Sequence, residues 1–541
     1  MTLLTGGQAL ARALRAEGID VIFGIVGTHN VQLFDGLYDV DGLRVITTRH
    51  EQGAGFMADG YARASGRIAA CLVVPGPGVT NLMTPLGQAY LDSVPLLAVA
   101  GQNPSDRLDQ RFEEFHELHR SLEVTASVTL RSTRLRNPAD APATIREAVQ
   151  LMRSGRPRPV FLEVPMDVAA AQQEVEELPP TEHGAPRAEV DPELIERAAQ
   201  LLSKGKKPLV VAGGGVISAE AGPVLREVAD QLGAPVITTV HGRGAVPDDD
   251  PLALGDGWSR LDFFDPLLAE ADVCLAVGTS FGTVNDSTRG AKLPESLVQI
   301  DIDPTAIGRH RPASLGVIGD ARRALEQLRH ELGPGSTRKV WCDVPAWRAV
   351  KRTAMGRVVE PVLQMLDDLR AALPRDAIVA DDLCVAGYWA PLALDVFEPR
   401  TLLHPGMWGT LGYALPAAIG AQIGRPDRVA VALCGDGGFL YTSQELSTAV
   451  TEDVNVIAIV FNDHAFGALK LFQDRLFRGR RIGVELRNPD FAKLGEAYGA
   501  SGVKLRERTH LGPAVREAVE RGGVTVIECP IDFDAPPPWM P

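Results

Sequence analysis

Short apolar runs alternate with longer amphipathic stretches along most of this chain. The short runs have the uniform hydrophobicity of buried strands, and the amphipathic stretches repeat apolar residues at three- or four-residue intervals, as helices do. Strands that alternate with helices in this way form parallel sheets covered by helices on both faces. We therefore predict the α/β class, with doubly wound parallel-sheet domains.

The same pattern divides the chain into three predicted domains, which span residues 1–170, 192–332 and 349–541. The segment 171–191 is acidic and contains several prolines, which is typical of a linker, and 333–346 is predicted to be a second linker. Strands and helices follow one another similarly in the first and third domains. No repeat in the sequence proves that these two domains share an architecture.

Composition narrows the range of partners. The 54 basic and 69 acidic residues give a net charge of −15, and no stretch concentrates Lys and Arg, which disfavours nucleic acid. The six cysteines lie far apart without a Cys-x-x-Cys pair, which is typical of free thiols in a reducing compartment. Residues 1–12 lack a signal-peptide profile, and no apolar run reaches the roughly 18 residues of a membrane span. These features predict a cytoplasmic protein with no membrane partner.

Two acidic strand ends in the third domain are the strongest candidates for chemistry. An apolar run at 429–433 leads to Gly435-Asp436-Gly437, a helix is predicted at 443–450, and a second apolar run at 454–461 leads to Asn462-Asp463. Neighbouring parallel strands end at one edge of a sheet, so Asp436 and Asp463 are expected to lie close together. Two carboxylates beside glycine amides suit Mg²⁺ and a diphosphate group. An ordinary turn with a capping aspartate explains the same stretch equally well.

The middle domain carries a weaker signal. A predicted strand at 208–212 leads to Gly213-Gly214-Gly215, and another at 297–302 ends on Asp303. Glycines and an acidic residue at strand ends are found where α/β folds bind nucleotides. A purely structural domain is the preferred interpretation, and bound FAD or ADP is the alternative.

Three motifs in this order resemble those of the thiamine diphosphate-dependent enzymes of the acetolactate synthase, pyruvate decarboxylase and benzaldehyde lyase superfamily. They are Arg49-His50-Glu51, Gly409-Thr410-Leu411-Gly412, and Gly435-Asp436-Gly437 with Asn462-Asp463. The resemblance covers essentially the whole chain. It implies a pyrimidine-binding, a middle and a diphosphate-binding domain, with thiamine diphosphate and Mg²⁺ as cofactors.

The resemblance also implies roles for single residues. Glu51 would be the catalytic carboxylate that hydrogen-bonds the cofactor's aminopyrimidine, Leu411 the apolar wedge that bends the cofactor, and the Gly409 carbonyl an acceptor for its amino group. The alternatives are a Glu51 side chain paired with Arg49 and a Leu411 buried in the core. The remaining cofactor residues would be Gly435, Asp436, Gly437 and Gly438, and the Mg²⁺ ligands would be Asp436, Asp463 and the Ala465 carbonyl.

Two further expectations follow from the family. Its members often have asparagine where this chain has Asp463, and the extra negative charge is expected to strengthen Mg²⁺ binding. The glutamate and the diphosphate motif of one active site come from different subunits in this family. A homodimer is therefore the minimum, and a homotetramer is expected.

The predicted substrate pocket contains His29, Glu113, Ala468 and Phe472. His29 resembles the pocket histidine of benzaldehyde lyase and is a candidate for proton transfer; its alternative role is to cap the following helix. Ala468 and Phe472 are smaller than their counterparts in the acetolactate synthase pattern Gly-Met-Val-Arg-Gln-Trp-Gln, which predicts a different pocket. His116 and His119, three positions apart, are interpreted as part of a solvated face.

These residues favour the decarboxylation of a 2-oxo acid, with or without ligation of the product to a second carbonyl. The alternatives are a benzaldehyde lyase-type enzyme acting on a 2-hydroxy ketone, an acetolactate synthase, and a non-catalytic regulatory homologue. Residues 50–63 also resemble guanidino-oxopentanoate decarboxylases, for which Glu113 would be a partner of the cationic tail.

Overall fold

The computed structural model describes residues 1–181, 188–257, 262–282, 293–333 and 337–540. It contains three six-stranded parallel sheets, each packed between helices. The predicted α/β class with three doubly wound domains is therefore confirmed. Most strand residues are buried on both faces of their sheet, which explains why the apolar runs are uninterrupted.

The first sheet lies between residues 21 and 165. Its strands, in chain order, are Val21–Gly24, Arg44–Thr47, Ala69–Val73, Leu96–Gln102, Arg131–Arg134 and Val160–Pro165. The helices around it are Gly6–Ala16, Val31–Tyr38, Glu51–Ser65, Pro77–Asp92, Ser121–Ala126, Ala141–Ser154 and Met166–Ala170. A short antiparallel pair, Thr2–Thr5 with Gln172–Val175, joins the two ends of this region.

The middle sheet lies between residues 208 and 318. Its strands are Pro208–Ala212, Val236–Thr238, Ala253–Asp256, Val273–Val277, Leu297–Asp301 and Leu315–Ile318. Its helices are Pro192–Lys204, Gly214–Ser218, Gly222–Leu232, Asp265–Glu270 and Ala321–Glu331.

The third sheet lies between residues 378 and 530. Its strands are Ile378–Asp381, Leu402–Leu403, Ala430–Gly435, Val456–Asn462, Ser501–Lys504 and Thr525–Pro530. Its helices are Val344–Ala372, Ala390–Ala393, Ala414–Gly424, Asp436–Thr442, Leu446–Thr451, Gly467–Phe477, Phe491–Ala497 and Leu511–Arg521.

The strand order relates the first and third sheets to each other. When the six strands of each sheet are numbered along the chain, both sheets have the spatial order 2-1-3-4-6-5. The middle sheet has the order 3-2-1-4-5-6, the dinucleotide-fold arrangement. Topology thus reveals a similarity between the first and third domains that no sequence repeat showed.

Several predicted boundaries differ from the observed ones. Two helices, Asp436–Thr442 and Leu446–Thr451, replace the single helix expected at 443–450, because Asp436 directly opens the first of them. The stretch 411–422, rich in Ala and Gly, predicts a helix, but the helix begins at Ala414, since Gly409 and Gly412 have φ angles of +68° and +77° that a helix excludes. Within the expected linkers, residues 182–187 and 334–336 lie outside the described part of the chain.

The first and third domains pack through two crossing helices, Glu51–Ser65 and Ala414–Gly424. A Cβ atom at Gly60 would lie 2.0 Å from the Ala417 carbonyl oxygen, and one at Gly420 would lie 1.8 Å from the Met57 carbonyl oxygen. Glycine is therefore required at both crossings. One continuous apolar core extends through the two domains at this interface.

All six cysteines are free, and five of them are buried. None of the helices in the described ranges is both long enough and apolar enough to cross a bilayer.

Candidate active site

The two predicted metal-binding carboxylates lie side by side. Asp436 follows the strand Ala430–Gly435, and Asp463 follows the neighbouring strand Val456–Asn462, with Gly435 opposite Phe461. Burial raises the pKa of Asp436. Burial also raises the pKa of Asp463 to about 6, and the negative charge of Asp436 contributes to that shift. A divalent cation between the two carboxylates would relieve their mutual repulsion.

Ala465 completes this cluster. Its N–H donates to Asp463 Oδ1 over 3.2 Å, and the same N–H favours the charged form of Asp436. Ala465 therefore lies beside the two carboxylates, and the residue is almost fully buried. The fit of this donor set to Mg²⁺ rests on its oxygen atoms, which are the ligands that Mg²⁺ prefers.

Asn488 is a member of this cluster that sequence reasoning missed. Its Nδ2 donates to Asp436 Oδ2 over 2.6 Å and to Asn462 Oδ1 over 2.9 Å, while its own Oδ1 is buried without a partner. An unpartnered buried oxygen beside two carboxylates suits a hydrated cation. The only signal in the sequence was the turn-forming pair Asn488-Pro489, which gave no hint of the spatial neighbour.

The turn after the strand Ala430–Gly435 contains glycines where a side chain would clash with its neighbours. A Cβ atom at Gly437 would lie 2.5 Å from the Phe466 ring, and one at Gly438 would lie 2.7 Å from Asp382 Oδ2. Glycine is therefore required at both positions, and the backbone N–H groups of this turn stay free of side chains of their own.

The loop that carries Leu411 lies against this turn. Leu411 is half-buried, so the alternative of a core leucine is wrong. Gly412 is held on both sides, because its N–H donates to Asp382 Oδ2 over 2.8 Å and its carbonyl accepts from Thr442 Oγ1 over 2.9 Å. Gly409, at the start of this loop, is exposed.

Glu51 is the first residue of the helix Glu51–Ser65. Its Oε2 accepts a hydrogen bond from Asn81 Nδ2 over 3.0 Å, and Gly78 lies beside its other oxygen. Arg49 donates instead to the Thr47 carbonyl and to Ser447 Oγ. The alternative of a Glu51–Arg49 pair is therefore wrong, and the carboxylate remains available to a ligand.

His29 lies in the first domain, as Glu51 does, and is 3% exposed. Its Nε2 is 2.9 Å from Asn103 Oδ1, and its Nδ1 is buried without a partner. The cap of the following helix is Asn30, which makes no side-chain capping bond. The helix-capping alternative for His29 is therefore wrong.

His116 corrects the expectation of a solvated face. Its ring stacks on the His29 ring with 5.1 Å between centroids, and its Nδ1 is also buried without a partner. Burial lowers the pKa of His116, His29 lowers it further, and Glu51 opposes the shift. The helical-face interpretation failed because these residues lie on an irregular loop; His119, by contrast, interacts with Arg111 near the surface.

The other predicted pocket residues are less enclosed. Glu113 is exposed on the same loop as His116, with a left-handed φ of +57°. Ala468 and Phe472 are half-buried on the helix Gly467–Phe477, which begins beside the Asp463 carboxylate.

No hydrogen bond or ion pair joins Glu51 to Asp436 in the described part of this chain. Gly78 lies beside Glu51, whereas a Cβ atom at Gly87 would lie 2.7 Å from the Trp408 ring, next to the Leu411 loop. These two glycines are nine residues apart on one helix, which separates the two contacts by roughly 13 Å. Among the described residues, no hydrogen bond of Glu51 leaves its own domain.

A cavity of about 380 Å³ lies where the three domains meet. Its lining includes Gly214, Gly278, Asp301 and Arg156. Gly213 and Gly215 pack directly on the Gly278 backbone, so their small size serves a contact between two loops. FAD or ADP in the middle domain remains a prediction.

Comparison with known proteins covers all three domains. The family descriptions "Thiamine pyrophosphate enzyme, N-terminal TPP binding domain", "central domain" and "C-terminal TPP binding domain" match residues 4–122, 195–328 and 384–529. Thiamine pyrophosphate is another name for thiamine diphosphate.

Whole-length relatives are also found. The chain is 40% identical to a "probable 2-ketoarginine decarboxylase" of Pseudomonas aeruginosa, over 97% of this chain and 94% of the relative. It is 31% identical to a "probable acetolactate synthase large subunit" of Methanocaldococcus jannaschii, over 99% and 94%. It is 33% identical to the acetolactate synthase large subunit of Corynebacterium glutamicum, over 98% and 86%. This chain therefore belongs to the thiamine diphosphate-dependent enzymes of the decarboxylase and acetolactate synthase type.

Proposed function

We propose that this enzyme decarboxylates a 2-oxo acid that carries a cationic tail, with thiamine diphosphate and Mg²⁺ as cofactors. The observation that carries the proposal is the 40% identity, over nearly the full length of both chains, to a relative named for 2-ketoarginine. That molecule is a 2-oxo acid with a guanidinium group at the end of its side chain. The acetolactate synthases align equally fully at 31% and 33% identity.

The residues on the Asp436 side fit the diphosphate end of the cofactor. Asp436, Asp463 and the Ala465 carbonyl would hold Mg²⁺, and the glycine turn 435–438 would hold the phosphate oxygens. The adjacent carboxylates of the buried Asp436 and the half-buried Asp463 support this assignment, as does the unpartnered Asn488 oxygen. When bound, thiamine diphosphate supplies a nucleophilic carbon that adds to the keto group and accepts the electrons released with CO₂.

Leu411 and Glu51 would act on the other end of the cofactor. The half-buried Leu411 side chain would fill the space between the two rings, and the Gly409 carbonyl would accept a hydrogen bond. Glu51 would hold a proton at its carboxylate, opposite the aminopyrimidine, with Asn81 fixing the carboxylate orientation.

His29 and His116 would serve proton transfer at the substrate. Each has a buried Nδ1 without a partner, which leaves one nitrogen of each ring for a ligand. Burial lowers the pKa of His116, which favours the neutral imidazole, and a neutral imidazole can accept a proton. Asn103 fixes the His29 ring through Nε2.

Carboxylates on the His116 loop would bind the cationic tail. Glu117 Oε1 is buried without a partner, and Glu113 has no ion-pair partner among the described residues. Glu114, by contrast, is paired with Arg107. A guanidinium group presents several donors in one plane and suits two such carboxylates. Because Phe115 and His116 stack on His29, this loop borders the proposed pocket.

The active site would be completed by a second copy of the chain. No hydrogen bond joins Glu51 to Asp436 in the described part of the chain, and exposed aromatic residues flank each half of the site, Phe115 and Phe112 on one side and Trp408 and Tyr441 on the other. Apolar surface next to a functional site is typical of a subunit interface. A homodimer is the smallest active unit in this arrangement, and a tetramer would join two such dimers.

A panel of 2-oxo acids tests the substrate proposal. The protein, loaded with thiamine diphosphate and Mg²⁺, is assayed for CO₂ and for the product with 5-guanidino-2-oxopentanoate, 6-amino-2-oxohexanoate, neutral 2-oxohexanoate and pyruvate. We expect kcat/KM for the guanidino acid to exceed that for the neutral acid by about 100-fold. Preferential conversion of pyruvate to acetolactate, or cleavage of a 2-hydroxy ketone without decarboxylation, would contradict the proposal.

Variants of the loop test the tail contact. Glu113→Gln and Glu117→Gln should reduce kcat/KM for the guanidino acid and leave that for 2-oxohexanoate unchanged. Glu123→Gln is the matched control, since Glu123 is paired with Arg120 at the surface. Equal losses with the charged and the neutral substrate would show that these carboxylates do not bind the tail.

A further inference from the structure

Asp382 is a buried carboxylate that lies between the two predicted cofactor segments. It follows the strand Ile378–Asp381 and is 1% exposed. Its Oδ1 accepts a hydrogen bond from the Leu383 N–H over 2.8 Å, and its Oδ2 accepts one from the Gly412 N–H over 2.8 Å. Both oxygens are thus occupied by backbone donors, which is a strong form of anchoring for a buried loop.

The same oxygen also touches the diphosphate turn. A Cβ atom at Gly438 would lie 2.7 Å from Asp382 Oδ2, and Asp382 is the nearest neighbour of that position. Gly412 packs on the helix Asp436–Thr442, since a Cβ atom at Gly412 would lie 2.7 Å from Tyr441 Cβ. One carboxylate therefore contacts the Leu411 loop and the Gly437-Gly438 turn together.

The loop is held at both ends by consecutive residues. Asp382 binds Gly412, and the Leu383 side chain lies 3.6 Å from the position of a Cβ atom at Gly409. Both glycines have left-handed φ angles, +68° and +77°, so the direction of the Leu411 side chain depends on how they are fixed. Thr442 completes the clamp through the Gly412 carbonyl.

We propose that Asp382 is a positioning residue for the cofactor site. Its carboxylate fixes the distance between the Leu411 loop and the diphosphate turn, and so sets the wedge relative to the end of the cofactor that is held by metal. Asp382 does not itself contact the reacting atoms. The inference rests on the proposed role of Leu411, and it is independent of which 2-oxo acid is the substrate.

Asp382→Asn is the informative substitution, because an asparagine offers one acceptor oxygen and turns its amide N–H₂ toward the other backbone donor. In the protein without cofactor, we expect the Gly412 amide to exchange with deuterium about 10-fold faster. At saturating thiamine diphosphate and Mg²⁺, we expect exchange of the cofactor's C2 proton to slow by about 100-fold, as for a catalytic group displaced by about 1 Å. Thr442→Val, which removes the bond to the Gly412 carbonyl, should shift both rates in the same direction.

Asp248→Asn is the matched control. Asp248 is also a buried carboxylate that accepts a backbone N–H, that of Val396, but it pairs with Arg243 in the middle domain. We expect this variant to leave both exchange rates within twofold of the wild type. If Asp382→Asn and Thr442→Val do the same, the inference is overturned.

A double-mutant cycle with Leu411→Ala separates this inference from the proposed function. If Asp382 acts through Leu411, the double variant exchanges the C2 proton no more slowly than Leu411→Ala alone. Multiplied effects would show that Asp382 acts by another route and would overturn the inference. If Leu411→Ala alone leaves the C2 exchange rate unchanged, the wedge role of Leu411 fails, and the positioning role of Asp382 fails with it. Faster Gly412 exchange in Asp382→Asn would then show only that Asp382 holds the loop in place.

Discussion

Glu51 is the residue on which the proposed chemistry depends most directly. In Glu51→Gln, the hydrogen bond from Asn81 is retained, because the glutamine side chain offers an oxygen in the same place. The loss should therefore fall on proton transfer, with kcat reduced by about 10²- to 10⁴-fold and the thermal midpoint unchanged. Steady-state kinetics and a thermal melt measure both quantities. A variant with wild-type kcat would contradict the role proposed for Glu51.

Asp382 gives the protein a pH-dependent stability. Burial raises the pKa of Asp382 to about 7 from an ordinary value of 3.8. Because the folded state binds this proton more tightly than the unfolded state, its contribution to the free energy of unfolding is largest below pH 4 and decreases as the pH rises through 7. The thermal midpoint of the cofactor-free wild type should therefore fall more between pH 5 and pH 8 than that of Asp382→Asn. Parallel profiles for the two proteins would contradict this prediction.

Sequence reasoning at the residue scale succeeded where the motif and the strand ends agreed. Parallel strands bring their ends together, so the proximity of Asp436 and Asp463 was predictable from the apolar runs alone. Asn488 and His116 were not predictable in this way, because each reaches the site from an irregular segment. No periodicity indicates where a side chain on such a segment will point.

The helix Gly467–Phe477 is the element that should set the size of the pocket. Ala468 and Phe472 are half-buried on it, and both are smaller than the methionine and tryptophan of the acetolactate synthase pattern. The double substitution Ala468→Met and Phe472→Trp should lower kcat/KM for a long-chain 2-oxo acid by at least about 10-fold while leaving that for pyruvate nearly unchanged. Kinetics with both substrates test this, and an equal loss for both would show that the helix does not line the tail.

The crossing of the helices Glu51–Ser65 and Ala414–Gly424 is the element contact with the least room. A methyl group at Gly420 would meet the Met57 carbonyl oxygen at 1.8 Å, so Gly420→Ala must separate the two helices. We expect a loss of about 3 kcal/mol or more in stability, measured as a lower thermal midpoint. Gly155→Ala is the control, since a Cβ atom there has no neighbour within 4 Å. Equal midpoints for the two variants would contradict this account of the interface.

The elements themselves were predicted unequally. The long central strands, such as Leu96–Gln102 and Val456–Asn462, are buried throughout and produce clear apolar runs. The strands Arg131–Arg134 and Ser501–Lys504 were missed because they are short, polar and partly exposed. Such strands are held by the neighbour that they pair with, so their own sequence carries little signal.

At the scale of the whole molecule, the strand orders explain why two similar domains flank a different one. The first and third sheets share the order 2-1-3-4-6-5, and each contributes one half of the proposed site. The middle sheet has another order and contributes none of the residues that we assign to catalysis. The sequence could suggest the similarity of the first and third domains only loosely, because strand order depends on which strands pair, and the apolar runs do not show that.

The subunit arrangement can be tested by mixing two inactive variants, Glu51→Gln and Asp436→Asn. If each active site takes Glu51 from one chain and Asp436 from the other, a mixed dimer contains one site with both changes and one site with neither. Random pairing of equal amounts should then restore about a quarter of wild-type activity after the subunits have exchanged. Either variant mixed with itself is the control and should stay inactive. If each chain instead formed its own complete site, every site would carry one of the two changes and no mixture would recover activity.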